Sequence, residues 1–267
     1  MTSYVHGYSE RESARLHDQA DSVRDLLHHD TRYPAGNLVL EMGCGVGAQT
    51  VTLARNSPDA AIVAVDISGD SLHQAEAFIH RQGLSNVQFR QADVFDLPYE
   101  EEYFDDIFVC HVLEHLKQPA EALTKLRTVL KTGGSITVIE GDHGSCTFRP
   151  ESKEARQVWR CLIDVQARLG GNALIGRGLF PLLSRAQFDV VHVSPRMVYI
   201  DHSNPRLMDR FVNRTIIPMV EGVRAQVMDW GLMDPSSWER GINDLYQVAN
   251  GDDSTFCYTF YKATGIK

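Results

Sequence analysis

The residues with the clearest chemical meaning are Glu41, three alternate glycines (Gly43, Gly45, Gly47), and the acids Asp66 and Asp93. Glycine lets a chain turn sharply and lets a ligand come close to the backbone. The stretch Val39-Leu40-Glu41-Met42-Gly43-Cys44-Gly45-Val46-Gly47 runs from an apolar strand into such a turn and then a helix. Gly43, Gly45 and Ala48 also satisfy the G-x-G-x-x-A form of a dinucleotide fingerprint. Asp66 ends the second apolar run, 23 residues after Gly43, where a carboxylate accepts from both hydroxyls of a ribose. Asp93, after the third run, is placed to accept from an adenine amine. Glu41, two residues before Gly43, opposes a pyrophosphate and favours a cationic or zwitterionic ligand. Together they suit a nucleoside cofactor with a positive centre. An NAD-dependent oxidoreductase is the alternative, and Glu41 and Asp93 speak against it.

The elements that must carry these residues are short apolar runs at 38–42, 61–66, 86–90, 106–110 and 135–140, with helix-like stretches near 48–56, 69–82 and 118–131. Uniformly apolar strands alternating with helices mean a parallel sheet covered on both faces. Two later runs, 189–200 and 255–263, bring the strands to seven. The expected fold is α/β: a Rossmann-like, seven-stranded, mostly parallel sheet with helices on both faces. A helical N-terminal segment and helical insertions forming a lid complete it. We read residues 1–267 as a single domain, with an N-terminal cap over 1–35, a cofactor-binding core over 36–143, and insertions at 144–186 and 201–252. Pro205, Pro218 and Pro235 should break the second insertion into separate helices.

E-x-G-C-G-x-G, the Asp66 acid, the A-D-V step at 92–94 and the DIFVCHVLEH stretch at 106–115 resemble class I S-adenosylmethionine-dependent methyltransferases. The closest likeness is to the small-molecule branch that includes the ubiquinone/menaquinone C-methyltransferase (UbiE-like) type, and it covers 38–140. The resemblance implies S-adenosyl-L-methionine as cofactor. It implies that Glu41 serves the ligand's amino group, that the three glycines pass under its methionine and ribose portions, and that Asp66 takes the ribose diol. It further implies Ile67 against the adenine face, Asp93 on the adenine amine, a Val94 backbone amide, and His111 beside the methionine arm. Tyr8 and Gln19 of the N-terminal helix, with Gln49, are candidates for holding the methionine carboxylate.

Methyl transfer from a sulfonium needs a nucleophile in line with the S–CH₃ bond at about 3 Å in a water-poor pocket. His143, after the fifth strand, is the candidate base, with an ordinary pKa of about 6.5; Glu140 and Asp142 are substitutes. Phe148, Trp159, Phe180, Tyr199 and Phe211 are candidates for an apolar wall, and Arg177 for binding an acidic group. The expected function is methyl transfer from S-adenosylmethionine to a small, fairly apolar or aromatic molecule. A non-catalytic protein binding that cofactor is a further alternative.

Composition narrows the field. The chain has 267 residues, 26 Lys plus Arg and 35 Asp plus Glu, for a net charge of −9. That balance disfavours nucleic acid as partner. No stretch approaches the ~20 apolar residues of a membrane span. The five cysteines are far apart, with no C-x-x-C pair, so neither a metal site nor a disulfide framework is expected, and a cytoplasmic location fits best. Asp105-Asp106 and Asp252-Asp253 read as loop acids.

Overall fold

A computed structural model describes residues 10–267, with side chains from Glu12 onward. Tyr8 therefore lies outside the described residues. The chain divides into two compact units. The core unit comprises 24–141, 175–196 and 260–267. The second comprises residues up to Val23, 142–174 and 197–259. Each is described by itself.

The seven strands are β1 (Leu38–Met42), β2 (Ala61–Asp66), β3 (Val87–Gln91), β4 (Phe104–Cys110), β5 (Leu130–Arg149), β6 (Asp189–Asp201) and β7 (Thr255–Ile266). They form one sheet in the order β3-β2-β1-β4-β5-β7-β6. β3, β2, β1, β4 and β5 run parallel. β7 is reversed: Gly133 N–H donates to the Lys267 carbonyl and Lys267 N–H to that of Gly134, so its end lies beside the start of β5. The first strands were readable because they are covered on both faces. Val39, Leu40, Ile107, Phe108, Ile136 and Val138 are fully buried.

In the core unit the connections are helices α1 (Glu10–His28, entering from the second unit), α2 (Thr50–Asn56), α3 (Gly69–Arg81), α4 (Pro119–Val129) and, later, Leu179–Arg185. Ser68 caps α3, its hydroxyl accepting from Ser71 N–H at 3.2 Å. β5 is longer than expected at both ends. It is paired on one side by β4 and on the other by β7, so its internal glycines do not end it. The helical part of the first insertion consequently starts at Lys153, not 144.

In the second unit, Lys153–Arg168 packs on Pro235–Asn250. A Cβ at Gly241 would meet the Glu154 carbonyl and Val158 Cγ1 at 2.6 Å each, so only glycine allows the crossing. Pro205 and Pro235 start helices, as their fixed φ favours. Pro218 does not break one. A π-helical stretch, Met208–Ile216, runs straight into Ile217–Glu221. The Ile217 N–H reaches back to the Val212 carbonyl and the Thr215 hydroxyl to that of Arg210, so the widened turn accommodates the ring.

Candidate cofactor site at the carboxyl edge of the sheet

The glycine turn leaves β1 and folds over the end of β2. Gly43 and Cys44 both donate N–H to the Val65 carbonyl, at 2.7 and 3.0 Å, and Gly47 N–H closes on Cys44 O at 3.0 Å. Gly43, Gly45 and Gly47 take φ of +76°, +53° and +81°. At Gly43 a Cβ would lie 2.3 Å from Val112 Cγ2, whereas at Gly45 it would meet nothing within 4 Å. The first glycine thus admits the loop after β4, and the second faces open space that a ligand can enter.

Asp66 sits at the end of β2 and organises the turn. Its Oδ2 accepts from Gly45 N–H at 2.8 Å and its Oδ1 from Ser68 N–H at 2.9 Å. Each oxygen retains a second lone-pair direction for a hydroxyl. Burial pushes its pKa up, opposed by the N–H groups of Ser68, Gly45 and Ile67. Ile67 beside it is 49% exposed, an apolar surface suited to a flat ring. Asp93 Oδ1 accepts from Phe95 N–H at 3.0 Å, an Asx turn past β3, and Val94 behind it is buried.

Glu41 is 2% exposed, and its Oε2 has no hydrogen-bond partner. Burial pushes its pKa from the ordinary 4.5 up to about 8, with the Asp66 charge adding to the shift and the Thr50 hydroxyl opposing it. A buried acceptor left unmet is costly, and a cation or donor arriving from a ligand relieves it. Buried Glu41, the open face at Gly45 and the strand-end Asp66 together fit S-adenosylmethionine.

His111 follows β4 with φ +57°, its N–H donating to Ile139 O at 2.9 Å and its ring 5.5 Å from Phe260. Gln49 leads into α2, where its Oε1 accepts from His28 Nε2 at 2.8 Å. Burial lowers the His28 pKa to about 4, so that imidazole is neutral. Glu41, the glycines, Gln49, Asp66, Ile67, Asp93, Val94 and His111 all belong to the core unit. They lie at or just past the carboxyl ends of four neighbouring strands, β3-β2-β1-β4.

Gln19, His143, Phe148, Trp159, Tyr199 and Phe211 belong to the second unit, and Phe180 to the core unit. Gln19 on α1 accepts from Arg15 Nη1 at 2.9 Å. His143 is 5% exposed, with Nδ1 2.7 Å from the Tyr258 hydroxyl and rings of Trp159 and Tyr258 at 5.6 and 5.7 Å. Trp159 Nε1 donates to its carbonyl at 2.8 Å. Trp159 and Phe211 are buried around Tyr258, and Phe148 is buried under the Arg156 guanidinium. Phe180 and Tyr199 are exposed. Asp105 and Asp106, expected in a loop, lie within β4 because Leu38, Lys131 and Asn37 satisfy their carboxylates.

The sequence alone offers Glu140 as a substitute base and gives Glu114 no role. Glu140 closes β4 to β5, accepting from Val112 N–H at 3.0 Å and Leu113 N–H at 2.7 Å. An acid ending the apolar run SITVIE was the available signal.

A seven-stranded sheet with β7 reversed, a glycine turn after β1 and an acid after β2 define the Rossmann-like class of methyltransferases. Residues 40–138 match the methyltransferase-domain family. Over those residues the chain carries a class I, S-adenosylmethionine-dependent methyltransferase domain. It is 32% identical over 180 residues to a 37.1 kDa protein of transposon Tn4556 from Streptomyces fradiae, covering 67% of this chain and 51% of that protein. It is 32% identical over 127 residues to the ubiquinone/menaquinone C-methyltransferase UbiE of a Marinomonas species, covering 47% and 48%. The chain thus spans about half the length of these curated relatives. The fold matches a Haemonchus contortus phosphoethanolamine N-methyltransferase solved with S-adenosyl-L-methionine, at TM-score 0.56 and 14% identity, over 94% of this chain and 52% of that one. No helix among the described residues is long and apolar enough to cross a membrane.

Proposed function

We propose that the chain transfers a methyl group from S-adenosylmethionine to a small, fairly apolar or aromatic molecule by in-line displacement, in the manner of the UbiE-like branch and in the cytoplasm. The observation that carries this reading is Glu41: a buried carboxyl with one oxygen unmet, next to a glycine turn that is open at Gly45. The cofactor supplies an electrophilic methyl on a sulfonium. Asp66 binds the ribose diol, Asp93 the adenine amine, and Ile67 lies against the ring. Glu41 receives the amino group, and His111 and Gln49 serve the methionine end. Calorimetry with S-adenosylhomocysteine, followed by turnover against phenols, quinones and amines, tests the reading. One-to-one binding and a methylated product are expected; no heat overturns it, and binding without any product favours a non-catalytic binder.

His143 is the proposed proton acceptor, held by Tyr258. The same contacts would suit a packing histidine, and His143→Ala separates the two roles. As a base its loss lowers turnover about 10²–10⁴-fold at unchanged cofactor affinity. Unchanged turnover removes it from the chemistry.

A further inference from the structure

The loop after β4 and the middle of β5 bring together side chains that their spacing in the chain did not link to a metal. One ligand atom each from His111, Glu114 and Glu140 lies within 4.8 Å of the others. Glu114 is 7% exposed and Glu140 0%. Glu140 Oε1 is held by the N–H groups of Val112 and Leu113, while its buried Oε2 has no hydrogen-bond partner. Two features of this arrangement decide what it is for. The two peptide N–H donors fix Glu140 through Oε1 and leave Oε2 as the oxygen that can ligate. Glu114 lies beside it, its Oε1 3.9 Å from His111 Nδ1 and 3.8 Å from His115 Nε2, so two carboxyls and an imidazole meet out of water.

We propose that His111, Glu114 and Glu140 bind a divalent cation of the manganese or zinc type. Two carboxylates and a neutral imidazole balance a dipositive ion. One nitrogen and two oxygens suit those metals better than calcium or magnesium, which take all-oxygen surroundings. The two amides on Glu140 Oε1 act as the outer contacts that orient a ligand and leave its other oxygen for the ion. Val112, in the same loop, abuts Gly43, so the cation site adjoins the glycine turn. On the methyltransferase reading, on which this last point rests, an ion there selects acceptors with an oxygen donor, such as a phenol.

The test uses the full chain, stripped by chelator dialysis and reloaded. Mn²⁺ is followed by electron paramagnetic resonance titration, and Zn²⁺ by elemental analysis after gel filtration. About one ion per chain is expected for either metal. Glu140→Gln keeps an oxygen for the two N–H donors while replacing the unmet one with an amide, so it should fold, as a circular dichroism melt would show. It should weaken binding at least about tenfold, and Glu114→Gln gives the same comparison should the first variant not fold. Retention of neither metal, or equal binding by the folded variant, overturns the site. If S-adenosylhomocysteine binds and no metal does, the cation site alone falls. If metal binds in the ligand-dependent manner and S-adenosylhomocysteine does not, the methyltransferase reading falls and the site stands.

Discussion

The two ends of the central strands carry acids that are treated in opposite ways. At the amino end, Asp105 accepts from Leu38 N–H at 2.8 Å and Lys131 Nζ at 2.6 Å. Asp106 accepts from Asn37 Nδ2 at 2.8 Å and from the Ser135 hydroxyl. All four oxygens are met from within the chain. At the carboxyl end, Glu41 and Glu140 each keep one oxygen with no partner. Folding fills buried acceptors wherever it can, because leaving one unmet costs free energy. The sheet shows that it can do so at one end, so the unmet oxygens at the other are arranged for something other than folding. Strand-end acids alone do not mark a site; oxygens that keep capacity for a ligand do.

The largest effect that would break this comparison concerns Glu41. Its carboxyl goes from an ordinary 4.5 to about 8 on folding. Between those values the folded chain holds a proton that the unfolded chain has lost. Stability associated with Glu41 is therefore fully present below about pH 4.5 and lost as pH rises through about 8. At about 1.4 kcal/mol per pH unit, the loss has an upper bound of roughly 5 kcal/mol. Glu41→Gln does not titrate. It should make the cofactor-free protein more stable than the parent at pH 8, with little gain at pH 4.5, while weakening S-adenosylhomocysteine binding. Denaturant unfolding at both pH values measures the first part. A variant less stable than the parent at pH 8 would mean that Glu41 is satisfied after all.

Asp66 sharpens the comparison from the other side, since both its oxygens hold the turn and still have capacity for a ligand. Asp66→Ala should weaken S-adenosylhomocysteine binding by about 1–3 kcal/mol, the range for hydrogen bonds to a charged group. Calorimetry reads this as roughly a 5- to 150-fold rise in Kd. An unchanged value would place the ribose elsewhere.

Much of the cofactor edge was legible in the sequence because its parts are local. Glu41 and the glycines are contiguous, and Asp66 and Asp93 follow apolar runs that are strands for the same reason that they are apolar. What was not legible depends on distant partners. Glu140 reaches Val112 and Leu113, which precede it by 28 and 27 residues, and His143 meets Tyr258, 115 residues on. The length of β5 depends on β7, whose end pairs with Gly133 and Gly134, residues that read locally as a turn. Pro218 reads as a break, yet the five-residue reach of Ile217 to Val212 carries the helix past it. Asp105 and Asp106 read as loop acids because only the folded sheet brings Asn37 and Lys131 to them.

The amino end gives the control with the smallest effect. Asp106→Ala leaves the Asn37 amide and the Ser135 hydroxyl without their acceptor at a buried position. The expected cost is about 1–2 kcal/mol, a fall in Tm of roughly 2–8 °C for a chain of this size. Because Asp106 opens β4 and the glycine turn closes β1, the loss is met at one end of the strands and the ligand at the other. S-adenosylhomocysteine affinity in the folded variant should therefore match the parent. A scanning calorimetry trace together with a binding isotherm checks both halves. If affinity drops as Tm does, the two ends of the sheet are coupled, and the distinction between acids that hold the fold and acids that hold a ligand no longer applies.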